Sequence, residues 1–374
     1  MREYMLNDYD VVIIGAGPSG CSAAINLQPG LKVAIIDRTD NTGFKVGESL
    51  PPACKRLLQD MQLWDEFVTH GHLPYYGTRS VWADNVIDET DFLRDLDGHG
   101  WHLDRGKFEN WLRHHAGERG THFYSPAKFK TISRSNDSWS VCVDTNRGHN
   151  TLKARLVIDA GGRSAPLTKQ LNVKRTHYDH MVCSWLSGDE KPHRADAGFN
   201  YIQATADGWW YTAALPGNHR VLSFHTDARL DTLKHFRDPR AQLNAAKQHS
   251  YLAALLERCE FSPGKMHGYS AAHSSRLTRH SGNTWLAVGD AAMCMDPLSS
   301  QGMFNGLYTG LLAAKSIRQL LNGTMADLKA YSQALNWIWQ SYEHHKQYWY
   351  ALPAHCKHSA FWKLKHQEVR NTLY

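Results

Sequence analysis

The chain has 374 residues, 42% of them hydrophobic and 21% charged, a length that suits two packed domains and a composition too mixed for a fibre or a disordered tail. Mean hydropathy is −0.51, and no apolar run approaches the roughly 18 residues of a membrane-crossing helix. The net charge of +6, from 42 basic against 36 acidic side chains, is small and dispersed, which sets aside a nucleic-acid groove.

At the N-terminus, Glu3, Asp8 and Asp10 stand where a secretory signal wants basic residues, so a cytoplasmic protein is expected. Residues 9–14, YDVVII, form a β-branched run suited to a strand buried on both faces, and it stops at Gly15. Helix-forming spacing over 19–27 ends at Gln28, Pro29 and Gly30, and 31–37, LKVAIID, supplies a second buried strand. The unit is βαβ. Between strand and helix, Gly15-Ala16-Gly17-Pro18-Ser19-Gly20 fits G-x-G-x-x-G. Gly15 permits the tight turn, Gly17 lets a pyrophosphate approach the backbone, and Gly20 allows helix to pack on strand, while the N-terminus of the helix offers unpaired N–H groups to the anion, with Pro18 and Ser19 beside it. Asp37 is placed to accept from the adenosine ribose hydroxyls, with Arg38 beside it, and an acid there disfavours a 2′-phosphate. An isolated match of this kind is often a plain glycine turn. The flanking strands and the acid make it a dinucleotide site, although NAD and FAD share the adenosine half.

Further along, 152–162 and 284–292 read as later strands of the same sheet, and 300–321 as a long helix. Residues 177–187, 199–214 and 220–226 have the aromatic, alternating pattern of an antiparallel sheet, with turns at Gly208 and at Pro216-Gly217. The expected architecture is α/β: a Rossmann-like dinucleotide domain over 1–72, 100–175 and 270–330, an inserted antiparallel-sheet substrate domain over 73–99 and 176–269, and a helical C-terminal region over 331–374. Seven cysteines without a CxxC pair suit free thiols, and 23 histidines without an HExxH spacing give no metal site.

Four further segments resemble those of FAD-dependent monooxygenases and halogenases of the aromatic-hydroxylase fold, in that family's order. They are Lys45-Val46-Gly47-Glu48-Ser49-Leu50-Pro51-Pro52; Leu103-Asp104-Arg105 with Phe108 and Leu112; Ile158-Asp159-Ala160-Gly161-Gly162-Arg163-Ser164; and Gly289-Asp290-Ala291-Ala292 followed by 296–302, DPLSSQG. The resemblance implies FAD as cofactor and a Rossmann-like FAD-binding domain, with Gly47, Glu48, Ser49, Arg105, Gly161, Gly289, Asp290, Pro297, Ser300, Gly302 and Met303 beside it. The fourth segment supports this on physical grounds: Asp290 can accept from a polyol hydroxyl, and the helix after Pro297 offers N–H groups to negative charge on a reduced flavin. The same residues would also serve as a tightly packed strand-to-helix loop, and Gly161-Gly162 as a simple turn. Glu48 in a surface loop would ordinarily be solvated, but Gly47 and Pro51-Pro52 fix its backbone.

The halogenase branch adds a W-x-W-x-I-P segment and a lysine some thirty residues past the G-E segment. Here the corresponding stretch is 208–216, GWWYTAALP, and no lysine lies between Lys55 and Lys107, which disfavours halogenation. The resemblance therefore implies a monooxygenase that hydroxylates an aromatic group, tryptophan or indole, via a flavin C4a-hydroperoxide, with O2 and an electron donor that is either NAD(P)H or a separate reductase. Trp209, Trp210 and Tyr211 are expected to line the pocket by alternate faces, with Trp82 and Trp101 as further candidates, each equally suited to core packing. No catalytic base stands out; Glu48 and Tyr211 are the candidates. The GESLPP segment, the GWWY stretch and the length also look like the flavoproteins that mature cysteine tryptophylquinone enzymes, which modify a tryptophan inside a precursor protein. The aromatic tail, with Trp337, Trp339, Tyr342, Tyr348, Trp349, Tyr350, Phe361 and Trp362, would then recognise that partner, or pack on its own domain through the helical stripe Tyr331, Leu335, Ile338 and Tyr342. An isoprenoid reductase, a halogenase and a non-catalytic assembly factor are the alternatives.

Overall fold

A computed structural model describes residues 7–371 except 41, 136, 192–195, 197, 237 and 324–325; Glu3 and 372–374 lie outside them. The strand Asp8–Ile14, apolar on both faces, sits in the middle of an eight-stranded sheet, parallel to Val33–Ile36 on one side and to Gly148–Asp159 on the other. His122–Tyr124 and Trp285–Ala287 extend the parallel order at the two flanks. The hairpin Ala127–Ser135 and Ser138–Thr145 branches antiparallel from Gly148–Asp159. Residues Val11, Val12 and Ile13 are fully buried, as expected of a strand covered by helices on both sides. Pro18 starts the helix Pro18–Leu27, where a missing N–H costs nothing. The helix Gly302–Leu321 packs on it, and the Ser22 hydroxyl donates to the Leu307 carbonyl at 2.7 Å.

A seven-stranded sheet runs Ser262–Ala271, Met181–Asp189, His219–Asp227, Gly208–Leu215, Phe199–Thr205, Gly77–Val81, Asp88–Asp91. It is antiparallel apart from the pairing of Phe199–Thr205 with Gly77–Val81. Along Gly208–Leu215 neighbouring side chains go to opposite faces. Trp210 enters a core with Leu186, Phe224 and the helices Pro239–Ala246 and Ser250–Arg258, while Trp209 enters the opposite one with Trp82, Tyr350, Phe361 and Trp362. The turn expected at Gly208 has its centre at 206–207, and Gly208 closes it opposite Thr205 as the first residue of the strand Gly208–Leu215. A Cβ there would stand 2.1 Å from the His225 carbonyl oxygen on the neighbouring strand, which requires glycine.

The C-terminal region forms the helices Ala326–Ala351 and Ala360–Asn371. Tyr331, Leu335 and Tyr342 are buried along the stripe read from the sequence, with Ile338 partly so. Of the aromatics offered for a partner, Trp339, Tyr342, Tyr350, Phe361 and Trp362 pack into the protein's own cores; Trp337, Tyr348 and Trp349 remain exposed. Among the described residues no helix is long and apolar enough to cross a membrane.

Candidate functional site

The strand Asp8–Ile14 delivers the chain to Gly15 (φ 109°), where a Cβ would stand 2.3 Å from the Ala160 carbonyl oxygen. A Cβ on Gly17 would meet nothing within 4 Å. The turn is thus closed below and open above, at the N-terminus of a helix, which is the shape a diphosphate requires to approach unpaired N–H groups. On this observation the residues fit FAD.

Gly17, Pro18 and Ser19 open onto a cavity of about 380 Å³ to which all of the expected segments contribute. Gly47, Glu48 and Ser49 line it, with Arg105, Asp290, Pro297, Ser300, Gly302 and Met303. From the third segment it takes Ala160, Gly162 and Arg163, not Gly161, which is packed under the Pro166 ring. Gly15, Gly20 and Gly289 stand outside the lining too, as do Asp37 and Arg38. Arg38 is exposed. Asp37 accepts from the Ala16 N–H at 2.7 Å and the Thr39 N–H at 2.9 Å, with Arg113 at 3.1 Å. Burial opposes its charge, but these donors and the guanidinium outweigh it and hold the carboxyl below its ordinary range.

The opposite wall comes from the seven-stranded sheet: Cys183, Trp209, Tyr211, Ser223 and His225. Trp209 and Tyr211 share a face, as period-two spacing dictates, and Trp210 points away. Trp82 and Trp101 do not line the cavity. Trp82 packs edge-on against Trp209 from behind, and Trp101 sits against Phe67 and Trp64.

Glu48 corrects the surface-loop expectation: it is only 2% exposed. Its Oε2 accepts from the Gly47 N–H at 3.0 Å and its Oε1 from the Tyr211 hydroxyl. The same hydroxyl lies 3.0 Å from Ser49 Oγ and 3.0 Å from Asn200 Oδ1, and His102 Nε2 is 2.9 Å from that amide oxygen. Burial, then the Glu48 charge, push the Tyr211 phenol well above its ordinary value; burial also lowers His102 to about 4, so its imidazole is neutral. Arg105 donates to the Val46 and Gly47 carbonyls at 2.9 and 2.8 Å and pairs with Glu109, clamping the loop that carries Glu48. Arg163 is taken up by the His273 carbonyl at 2.8 Å, 3.7 Å from the Asp290 carboxylate.

Asn200, His102 and His225 carry no signal in the sequence, because the groups they meet in the site are remote in the chain. His225 stacks on its cross-strand partner Trp209 with ring centroids 3.8 Å apart and planes 3° off parallel, and burial lowers its imidazole to about 3. Asp296, quoted in the fourth segment but given no role, also lines the cavity. Away from it, His180, Asp227 and Glu368 bring potential ligand atoms together, but Arg229 already bridges Asp227 and Glu368.

Residues 8–341 match the model of the FAD binding domain. Over 367 residues the chain is 26% identical to the putative FAD-dependent oxidoreductase LodB of Marinomonas mediterranea, covering 96% of this chain and 98% of that protein. Its structure is similar to that of the myxobacterial chondrochloren halogenase CndH, with a TM-score of 0.87 at 19% identity over 98% of this chain and 88% of that one. It is also similar to the peptidyl tryptophan dihydroxylase QhpG, with a TM-score of 0.75 at 20% identity over 96% and 78%.

Proposed function

Because this chain belongs to the FAD binding domain family and is an FAD-dependent oxidoreductase, we propose that it is a monooxygenase that hydroxylates an indole ring, that of a tryptophan in a partner precursor protein on its way to a quinone cofactor. The observation that carries the reading is the hydrogen-bonded pair of Glu48 and Tyr211, joining the loop of the dinucleotide side to the aromatic wall across one cavity. LodB, a putative FAD-dependent oxidoreductase covered over 98% of its length, supports the reaction class, and QhpG, a peptidyl tryptophan dihydroxylase essential for tryptophylquinone cofactor biogenesis, supports the peptidyl substrate.

We assign the parallel sheet and its helices to FAD and the seven-stranded sheet to the substrate. FAD contacts are assigned to Gly17, Pro18 and Ser19 for the diphosphate and to Asp37 and Arg38 for the adenosine end, with Gly15 and Gly20 shaping the turn from beneath. Gly47, Glu48, Ser49, Arg105, Asp290, Pro297, Ser300, Gly302 and Met303 take the rest, while Gly161 and Gly289 act through backbone packing behind the wall. Bound FAD, once reduced by NAD(P)H or a separate reductase, supplies the two electrons with which one atom of O2 is transferred and the other leaves as water. Trp209 and Tyr211 offer an aromatic face to the substrate ring. Tyr211, its phenol raised by burial, stays protonated at neutral pH and is a donor rather than a base. Glu48, held at both oxygens, takes the proton that the hydroxylated ring carbon releases. Met295, Met303 and Ala272, all buried, keep water from the reacting atoms. The seven free thiols favour the cytoplasm as the place where this occurs.

The test is to incubate the reduced, FAD-loaded enzyme with a tryptophan-containing precursor peptide, with and without O2 and with and without bromide. Hydroxylated product that needs O2 and ignores bromide is expected. Brominated product would make the protein a halogenase, the second reading, which the likeness to CndH favours. Product without O2 would make it a reductase, and flavin reoxidation with no product at any peptide concentration an assembly factor.

A further inference from the structure

The helix Ala326–Ala351 runs past residue 341, where the match to the family model ends, and its last turn hydrogen-bonds two residues of the cavity wall from behind. Tyr350, 1% exposed, donates its hydroxyl to Asp296 Oδ2 at 2.9 Å and accepts from Trp209 Nε1 at 3.0 Å. The phenol thereby fills one donor and one acceptor role. Asp296 and Trp209 both line the cavity, the first from the loop ahead of Gly302–Leu321, the second from the sheet wall. Tyr342, two turns earlier, holds the same loop by its backbone. Its oxygen accepts the Asp296 N–H at 2.9 Å and lies 2.6 Å from Ser274 Oγ, to which Lys346 donates at 2.8 Å.

We propose that Tyr350 is a positioning residue of the reaction cavity: one hydroxyl sets the Asp296 carboxyl, on the side assigned to the flavin, against Trp209 on the substrate side. The C-terminal helix is thus part of the site and not only a cover on the fold. The clamp itself is independent of the hydroxylase reading; its effect on FAD rests on the assignment of that side to the cofactor.

Asp296 is where the clamp can be read. Burial raises its carboxyl above the ordinary range. The groups that face it are Lys346, Tyr342 and Tyr350 from Ala326–Ala351, Lys365 from Ala360–Asn371, Asp179 ahead of Met181–Asp189, and the Leu298 N–H at 2.9 Å. Lys346 and Lys365 favour the charged form and Asp179 opposes it. A hydrogen bond donated to a carboxylate favours ionisation, so loss of the Tyr350 hydroxyl raises this group further.

The experiment uses the full chain as wild type, Tyr350→Phe, Asp296→Asn and the double variant. Infrared titration of the apoprotein follows the carboxylic-acid carbonyl band of Asp296, identified by its loss in Asp296→Asn. Tyr350→Phe keeps the ring contacts with Trp82 and Trp362. It is expected to move the titration up by about one pH unit, a tenfold change in proton affinity, as for one lost charge-assisted hydrogen bond. FAD affinity, measured by flavin fluorescence across the same pH range, should follow that titration in wild type, shift with it in Tyr350→Phe and be flat in Asp296→Asn. In the double variant the tyrosine change should add nothing. A Tyr350→Phe titration that coincides with wild type overturns the proposal, as do effects that simply add in the double variant. Should Tyr350→Phe not fold, Trp209→Phe, which removes the N–H donated to the same hydroxyl, takes its place: the infrared titration of Asp296 is expected to move with it, and one that coincides with wild type overturns the clamp. A wild type that binds no FAD at any pH defeats the flavin assignment instead, and the infrared titration still decides for or against the pairing.

Discussion

A valine at position 17 has room in the protein but none beside a diphosphate. Gly17 has an ordinary φ of −74° and open space above it, so Gly17→Val is expected to unfold in urea within roughly 0.5 kcal/mol of wild type. Its FAD affinity is expected to fall on the order of a hundredfold, about 2.7 kcal/mol; equal affinity in the two proteins would refute the assignment of the turn. His225 makes a prediction of opposite kind. Its folded value of about 3 lies below the ordinary 6.5, so the unfolded chain takes up the proton first, and the stability that neutral His225 provides is intact above pH 6.5 and drains away as the pH falls towards 3. The loss is roughly 1.4 kcal/mol per pH unit for one such group. His225→Phe, which preserves the stack on Trp209, should therefore show a shallower fall of stability between pH 6 and 4 in urea denaturation, and parallel curves would count against a buried neutral imidazole. At this scale the sequence was least readable. The burial of Glu48 depends on Tyr211, 163 residues away, and nothing in the local pattern around either one announces the other.

Elements were more readable, because their signals are local. The βαβ unit follows from β-branched residues over 9–14, Pro18 at a helix start and the Gln28-Pro29-Gly30 stop, and it forms as Asp8–Ile14, Pro18–Leu27 and Val33–Ile36. The spacing of Tyr331, Leu335, Ile338 and Tyr342 likewise announced a helix and its buried stripe. What local pattern does not carry is pairing: Gly77–Val81 joins the distant Phe199–Thr205, and the second reason for a glycine at 208, the close approach of the His225 carbonyl, sits on another strand. The tail helix gives a test of orientation. Trp339 is 1% exposed and Trp337 70%, so Trp339→Ala should cost about 3–5 kcal/mol and Trp337→Ala within about 0.5 kcal/mol, by urea denaturation. Equal costs would mean that the helix is rotated from the position described.

At the scale of the whole molecule, two sheets meet at one cavity, and the C-terminal helix is hydrogen-bonded to a residue on each side of it. The parallel sheet presents the ends of its strands and the turn at Gly15–Gly20, the antiparallel sheet presents one face with Trp209, Tyr211 and His225, and Tyr350 ties the two together. The likeness of the separate segments to known flavoproteins could be read from the chain because each is a short run with its own backbone demands. Their convergence could not, because it is a property of the fold. The substrate is the most direct point of test. The enzyme should be co-expressed with its candidate precursor protein under isotopically labelled O2, and the precursor examined by peptide mass spectrometry. The account predicts labelled oxygen on the indole ring of a specific tryptophan, lost when the enzyme carries Gly17→Val. A tryptophan left unmodified, or oxygenated with atoms that come from water, would contradict it.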